Sequence, residues 1–416
     1  MKIREIAWRN IFRNKRRSVL SVAAIAIASM SIVLLFGLID WFKTDMRDNL
    51  FRFFTGQIRV RHVDFDKYEH LSPLHLKIEN ANKLVEKIEK IDGVKAAAAR
   101  IAFPAMVKQN DELTATYGKA IDMDREKNIA KLQESIIEGR LPQSGKKEIA
   151  IGPVLAKNLA KKVGDKITLL ARTASYASNA MTFTITGIIK PAFSGMEKGF
   201  FIPLDTGQYF LRMRKPTDTA YKGASEIIIL LKEKIKEDSI IPEIENLIKQ
   251  GEYGSVKATK WEDIPTLYSI IGMAEQVYNF IGILFLVLGS TVIINTTMMV
   301  IYERMKEIGT MSALGMEGKQ LVRLFFAEAF YLAIIGSVIG VALGAIASIP
   351  LSSYGIDYSE VFAGMDWPIS TIIYITPNTK TYIQVFVFSV AVASLASFFP
   401  SRKAAKLDPI HALRTI

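Results

Sequence analysis

The sequence predicts a membrane protein: four transmembrane helices with a large mixed α/β extracytoplasmic domain inserted between helices 1 and 2. Three observations lead there. Four apolar stretches reach about the minimum length for crossing a bilayer. The long segment 41–272 between the first two is polar enough to fold in water. Lysine and arginine gather beside the apolar stretches in a pattern that sets orientation. The bulk composition agrees. Half of the 416 residues are hydrophobic and the mean hydropathy is +0.21, yet 23% are charged. That mixture suits a few spans plus a sizeable water-facing domain.

Residues 1–17 carry Ile3, Ile6, Ala7, Ile11 and Phe12 at helical spacing with arginines between them. This is the pattern of an amphipathic cytoplasmic helix lying in the interface plane; a basic leader that only sets topology fits the same residues. Ser18 to Ile39 has no charge and extends over roughly 33 Å as a helix, enough for a bilayer core. The apolar part of a cleaved signal peptide is shorter, about 7–15 residues. Residues 18–40 are therefore an uncleaved first span, and Asp40-Trp41-Phe42-Lys43 is its interfacial anchor.

In the domain 41–272, Gln57 to Val63 is a basic, β-branched strand. Ile78 to Ile91 places Leu84, Val85, Ile88 and Ile91 on one helical face, and Asp92-Gly93 ends it. Glu148 to Ile151, Lys166 to Leu170, Thr182 to Ile189 and Glu226 to Leu231 predict strands, and Ile241 to Ile248 a short helix after Pro242. The segment has room for one large or two small subdomains, with Pro203 to Pro216 as a candidate break. The second span, 273–301, is built on the uncharged Val277 to Ile301. The third, 323–351, has one charge, Glu328, from Leu324 to Leu351. The fourth, 382–400, stops at Pro400.

Seven basic residues precede the first span: Lys2, Arg4, Arg9, Arg13, Lys15, Arg16 and Arg17. Arg304, Lys306, Lys319 and Arg323 lie between spans two and three, and Arg402, Lys403, Lys406 and Arg414 follow span four. The loop 352–381 has only Lys380 against Asp357, Glu360 and Asp366. Both termini, the segment 302–322 and the tail 401–416 are thus expected in the cytoplasm, with 41–272 and 352–381 outside. This orientation also accounts for much of the +12 formal charge, so no nucleic-acid partner is needed to explain it.

The absence of cysteine excludes disulfides and Cys nucleophiles. No stretch fits G-x-x-x-x-G-K-[ST]: Gly315-Met316-Glu317-Gly318-Lys319-Gln320 has the wrong spacing and no hydroxyl after the lysine. No G-x-S-x-G turn or H-E-x-x-H helix is present, so no catalytic residue and no resident cofactor is expected. His62, Asp64, Asp66, His70 and His75 cluster in one external stretch. Their spacing matches no established ligand set, and a solvated polar loop is expected rather than a metal site. Glu328, inside a span, is a functional candidate; its proximity to Arg323 also fits snorkelling or an ion pair. Gly336, Gly340 and Gly344 recur every four residues, a ridge suited to close helix packing.

Five stretches resemble the LolC/LolE-like permeases of lipoprotein-releasing ABC transporters, within the MacB/FtsX superfamily. They are the basic run before span one, IDGV at Ile91 to Val94, EIAIGPVLAKNLAKKVGDKITLL at Glu148 to Leu170, KEIGTMSALGMEGKQL at Lys306 to Leu321, and FPSRKAAKLDPIHALR at Phe399 to Arg414. The resemblance implies a permease subunit of the bacterial inner membrane that works as a homo- or heterodimer. Two copies of a separate ATPase would hold ATP and Mg and hydrolyse the nucleotide. Glu307, Ile308, Gly309, Met311, Leu314, Gly315 and Met316 would couple to that ATPase. Phe36, Ile39, Asp40 and Phe42 with Val277, Phe280, Ile281 and Leu284 would line a cavity for the lipid of a lipoprotein substrate. Arg172, Ser175, Tyr176 and Asn179, in the short proline-free loop Ala171 to Thr182, would be the position of a periplasmic carrier-docking loop. The superfamily also implies two alternatives: MacB-like mechanotransmission efflux of peptides or antibiotics, and FtsX-like regulation of a cell-wall hydrolase without transport.

Overall fold

The computed structural model describes residues 3–13, 15–109, 112–191, 196–214, 222–303, 310–311, 314–358 and 370–404. In chain order the elements are helices α1 (Ile3–Arg13) and α2 (Lys15–Leu50), strand β1 (Ile58–His62), α3 (Ala81–Ile88), β2 (Val94–Gln109), β3 (Glu112–Ile121), β4 (Ile136–Gly139), β5 (Glu148–Ile151), α4 (Pro153–Asn158), β6 (Lys166–Arg172), β7 (Ser178–Ile189), β8 (Phe200–Pro203), α5 (Leu204–Phe210), β9 (Glu226–Leu231), α6 (Glu237–Lys249), β10 (Val256–Lys260), α7 (Pro265–Glu303), α8 (Gly318–Ser353), the short β11 (Ile356–Asp357) and β12 (Ile372–Ile373), and α9 (Thr379–Ala404). They form two compact units: 1–44 with 273–357 and 372–416, and 45–272 with 358–371.

The first unit is helical. Among the described residues four helical segments are long and apolar enough to cross a membrane: Ser18–Thr55, Ile271–Asn295, Gly318–Ser353 and Thr379–Phe398. Small residues set their packing, as van der Waals fit must where lipid tails are as apolar as leucine. The ridge of Gly336, Gly340 and Gly344 on α8 meets Ile25, Ala26 with Ser29, and Val33 on α2. Ile25, Ala28, Ile293, Ala333 and Ala393 bring four helices to one core, and Ser29 Oγ donates to Ser389 Oγ across 2.9 Å. Glu328 is buried, so it does not snorkel to the surface. The amphipathic α1 buries Ala7 and Ile11 and sets Trp8 edge-on to Tyr331 of α8.

The second unit is built on one ten-stranded sheet. Its edge runs β10-β1-β9-β2, all antiparallel. The order β1-α3-β2 and then β9-α6-β10 makes this part a split β-α-β arrangement. Everything from β3 to β8 is inserted between its halves. There the strands close on themselves: β2 pairs β3, β3 pairs β8, β8 pairs β5, β5 pairs β7, β7 pairs β6, and β6 returns to β2. The 16-residue β2 belongs to both parts. Phe103, Phe183, Phe200 and Phe210 meet edge to face, within a core shared by both parts.

Several expectations change here. β2 carries no strand signal because both of its faces are covered. Ala97 and Ala99 enter one core and Ala96 and Ala98 another, so the polar–apolar alternation of a half-exposed strand is absent. α6 begins at Glu237 and contains Pro242. Burial of Ile240, Ile244 and Ile248 along one face outweighs the single hydrogen bond that proline removes. The candidate break from Pro203 packs inward where it is described: Phe210, Leu211 and Met213 are fully buried in the common core, and Pro216 lies outside the described residues.

Candidate functional site

Of the residues expected to couple, Met311, Leu314, Gly315 and Met316 are described, and they precede α8. Glu307, Ile308 and Gly309 fall outside the described residues. Beyond them a helical turn closes with Leu314 N–H on Thr310 O (3.0 Å) and Met316 N–H on Met311 O (3.1 Å). Gly315 sits at φ +92° between. A six-residue closing bond over a left-handed glycine is the Schellman stop of a helix. It leaves Met311 and Met316 half-buried and Leu314 84% exposed. Leu314 thus stands out into solvent beside this turn.

The eight positions assigned to a lipid cavity separate. Phe36 and Ile39 face Gly282 of α7 at 3.6 and 3.7 Å, measured to a Cβ placed there. Phe42 stacks on Tyr278, and Lys43 Nζ donates to Asn279. Asp40 accepts from Thr381 Oγ1 (2.6 Å) and Asn378 Nδ2 (3.0 Å), which ties it to the start of α9 and not to an apolar lining. Ile281 is half-buried, while Val277, Phe280 and Leu284 stand on the exposed face of α7. Sequence reasoning missed an apolar pocket of about 450 Å³ lined by Ile346, Ile349, Ile375, Pro377 and Tyr382 among others. No periodicity marks it, because it forms between α8 and the approach to α9.

The candidate carrier-docking loop is a tight β6–β7 turn. Arg172 still pairs Ser178, and Thr173 N–H donates to Ala177 O. Tyr176 takes φ +63°, unusual for a bulky residue, and is exposed. Its hydroxyl lies 2.7 Å from His75 Nδ1, and the Arg172 guanidinium lies over its ring. Asn179 Nδ2 donates to Phe210 O, and Ser175 Oγ is 3.1 Å from Thr173 Oγ1. The external histidine stretch is likewise engaged. Asp66 pairs with Arg59 and Arg61, and Glu69 with Arg61. His62 Nδ1 accepts from Asp64 N–H. No group of three or more metal-ligating side chains forms among the described residues.

The external unit buries a charged network. β1 turns Ile58 and Val60 into the core and sends Arg59 and Arg61 to its other face. Arg61 reaches Glu226 of β9 at 2.6 Å. Burial drives the Glu226 carboxyl upward, but Arg61, Lys119, Arg59 and Arg100 outweigh it and hold the group below the ordinary glutamate value. Burial, aided by Arg100, pushes Lys119 down to about 7 against the pull of Glu226 and Glu126. The one sequence signal for this network is the isolated Arg100 in AAAARIAF, a charge in an apolar run.

The chain matches two families. The MacB-like periplasmic core domain covers residues 18–247, more than half of the chain, and the FtsX-like permease C-terminal family covers residues 279–409. An uncharacterized ABC transporter permease of Methanocaldococcus jannaschii is 24% identical, over all of this chain and 98% of that protein. The macrolide export ATP-binding/permease protein MacB 2 of Yersinia pestis bv. Antiqua is 27% identical over 36% of this chain, which spans only 20% of that longer protein. Among solved structures, the extracellular domain of the noncanonic ABC-type transporter YknZ from Gram-positive bacteria matches 49% of this chain and 99% of that domain, at 15% identity and a TM-score of 0.36. An α/β unit matching the first family, followed by apolar helices matching the second, identifies this chain as a membrane permease of the MacB/FtsX superfamily of ABC transporters.

Proposed function

We propose that this chain is the membrane subunit through which a separate ATPase moves lipoproteins from the inner membrane toward a periplasmic carrier. Two permease chains and two ATPase copies make the assembly, with ATP and Mg held by the ATPase. Both termini and residues 302–322 face the cytoplasm, and the α/β unit faces the periplasm. The observation that carries the reading is Leu314, an apolar side chain displayed on a Schellman turn at the head of a membrane helix. Val277, Phe280 and Leu284 offer an open apolar face on α7, suited to acyl chains or to the second permease. Free acyl chains cost about 0.8 kcal/mol per CH₂ in water, so a covered apolar path is needed from the first step of release.

A second reading is MacB-like efflux of peptides or antibiotics by mechanotransmission. It is favoured by relatives named as macrolide exporters.

A photo-crosslinker at Phe280, in cells, separates the two. Adducts with lipoproteins that vanish when acylation is blocked support lipoprotein release. Adducts with unlipidated peptides favour efflux. Purification without any ATPase would overturn both.

A further inference from the structure

The end of the first long helix is fastened inside the external unit. After Leu50 the chain makes a π-helical turn, Phe51–Thr55, and stops at Gly56. A helix leaves its last carbonyls without partners of their own and with partial negative charge. Three of them are met here in succession. Gly56 N–H donates to Phe51 O at 2.9 Å. Arg100 donates from Nη2 to Arg52 O at 2.6 Å and from Nη1 to Phe53 O at 3.0 Å. Lys119 Nζ donates to Phe53 O as well. The Arg100 fork is itself held by Glu126, Nε to Oε1 at 2.6 Å and Nη2 to Oε2 at 2.8 Å.

Arg100 stands on β2 and Lys119 on β3, two adjacent strands of the closed barrel. All three side chains are buried. Stability explains this poorly, since well-packed apolar residues in place of buried ion pairs are often neutral or stabilising. What the charges add is direction. The planar guanidinium bonds the helix end on one edge and Glu126 on another, and leaves the barrel no easy slip along the helix axis.

We propose that Arg100, oriented by Glu126, and Lys119 carry movement of the first membrane helix into the barrel. They are positioning residues that touch no substrate. The proposal rests on the ATP-driven reading above, and its test distinguishes the two.

The chain has no native cysteine, so spin labels at Ser31→Cys and Lys166→Cys report one distance in the full permease with its copurifying ATPase. The expected result is a shift on adding ATP and vanadate in the parent. In Arg100→Gln and Lys119→Met the shift is lost, while the ATPase still copurifies and its ATP turnover stays near the parent's. Glu126→Gln, which keeps the shape, is expected to reduce the shift. A full parental shift in all three variants overturns the proposal. No shift in the parent instead removes the ATP-driven reading, and with it the motion this fastening would carry. Hydrogen exchange of the Phe51–Gly56 amides then reads the fastening alone. Faster exchange confined to that turn supports the attachment; parental protection in every variant overturns it.

Discussion

Gly340 lies directly on the backbone of Ala26. A Cβ at Gly340 would fall on the Ala26 carbonyl oxygen and within 2.7 Å of Ser29 Cβ. The bare backbone of α8 is thus what lets α2 approach it, and the neighbouring Gly336 and Gly344 do the same against Ile25 and Val33.

Gly340→Val is expected to force these helices apart at a cost of about 1–3 kcal/mol, the usual price of overpacking. Thermal unfolding of the purified permease should fall accordingly. A parental melting temperature would mean that the contact is not tight.

Gly56→Ala should damage the external unit. Gly56 has φ +69°, and a Cβ there would sit 2.6 Å from Ile229 O and 2.7 Å from Ile229 N, both backbone atoms. Strain in this region costs about 1–3 kcal/mol before the clash is counted. Limited proteolysis near residue 56 and loss of denaturation midpoint are the readouts. An unchanged midpoint would refute the geometry of this stop.

Leu314→Asp should leave the fold intact, because a side chain so exposed contributes little to stability, within about 0.5 kcal/mol. In an apolar groove of a partner the carboxylate would lose its hydration without gaining a counter-charge. The expected outcome is normal membrane insertion with loss of the copurifying ATPase. Normal association and transport would assign ATPase coupling to some other segment.

Lys119 gives the external unit a pH dependence with a definite sign. Its folded value near 7 lies below the ordinary 10.5. Between those values the unfolded chain binds the extra proton, so stability should rise with pH across roughly pH 7–10, by at most about 1.4 kcal/mol per pH unit. Denaturant unfolding at pH 7.5 and 9.5 would measure it, and Lys119→Met should flatten the difference. A parent that loses stability over this interval would contradict the burial of the ammonium group.

Much of the framework was legible before any coordinates. Apolar runs of span length are a one-dimensional property, and so are the strands Glu148–Ile151 and Glu226–Leu231, which the structure bounds at the same residues. The glycine ridge was legible too, because a repeat of four residues is a face of a helix whatever lies opposite. The identity of its partner was not: Ile25, Ala26 and Val33 are some three hundred residues away in the chain, and nothing in their own spacing names α8.

What the sequence determined by itself were periodicities: the helices, the half-exposed strands, and the charge asymmetry around the apolar segments. Tertiary structure alone decided the rest. It made Ala96 to Ala99 a strand by covering both faces, and it closed the barrel through the pairing of β6 with β2. It also gathered Arg100, Lys119 and Glu126 around the carbonyls of Arg52 and Phe53. The physical reason is common to all three. Local pattern records which face of an element prefers water, whereas burial on both faces, ring closure and the satisfaction of a buried charge depend on groups that only folding brings together.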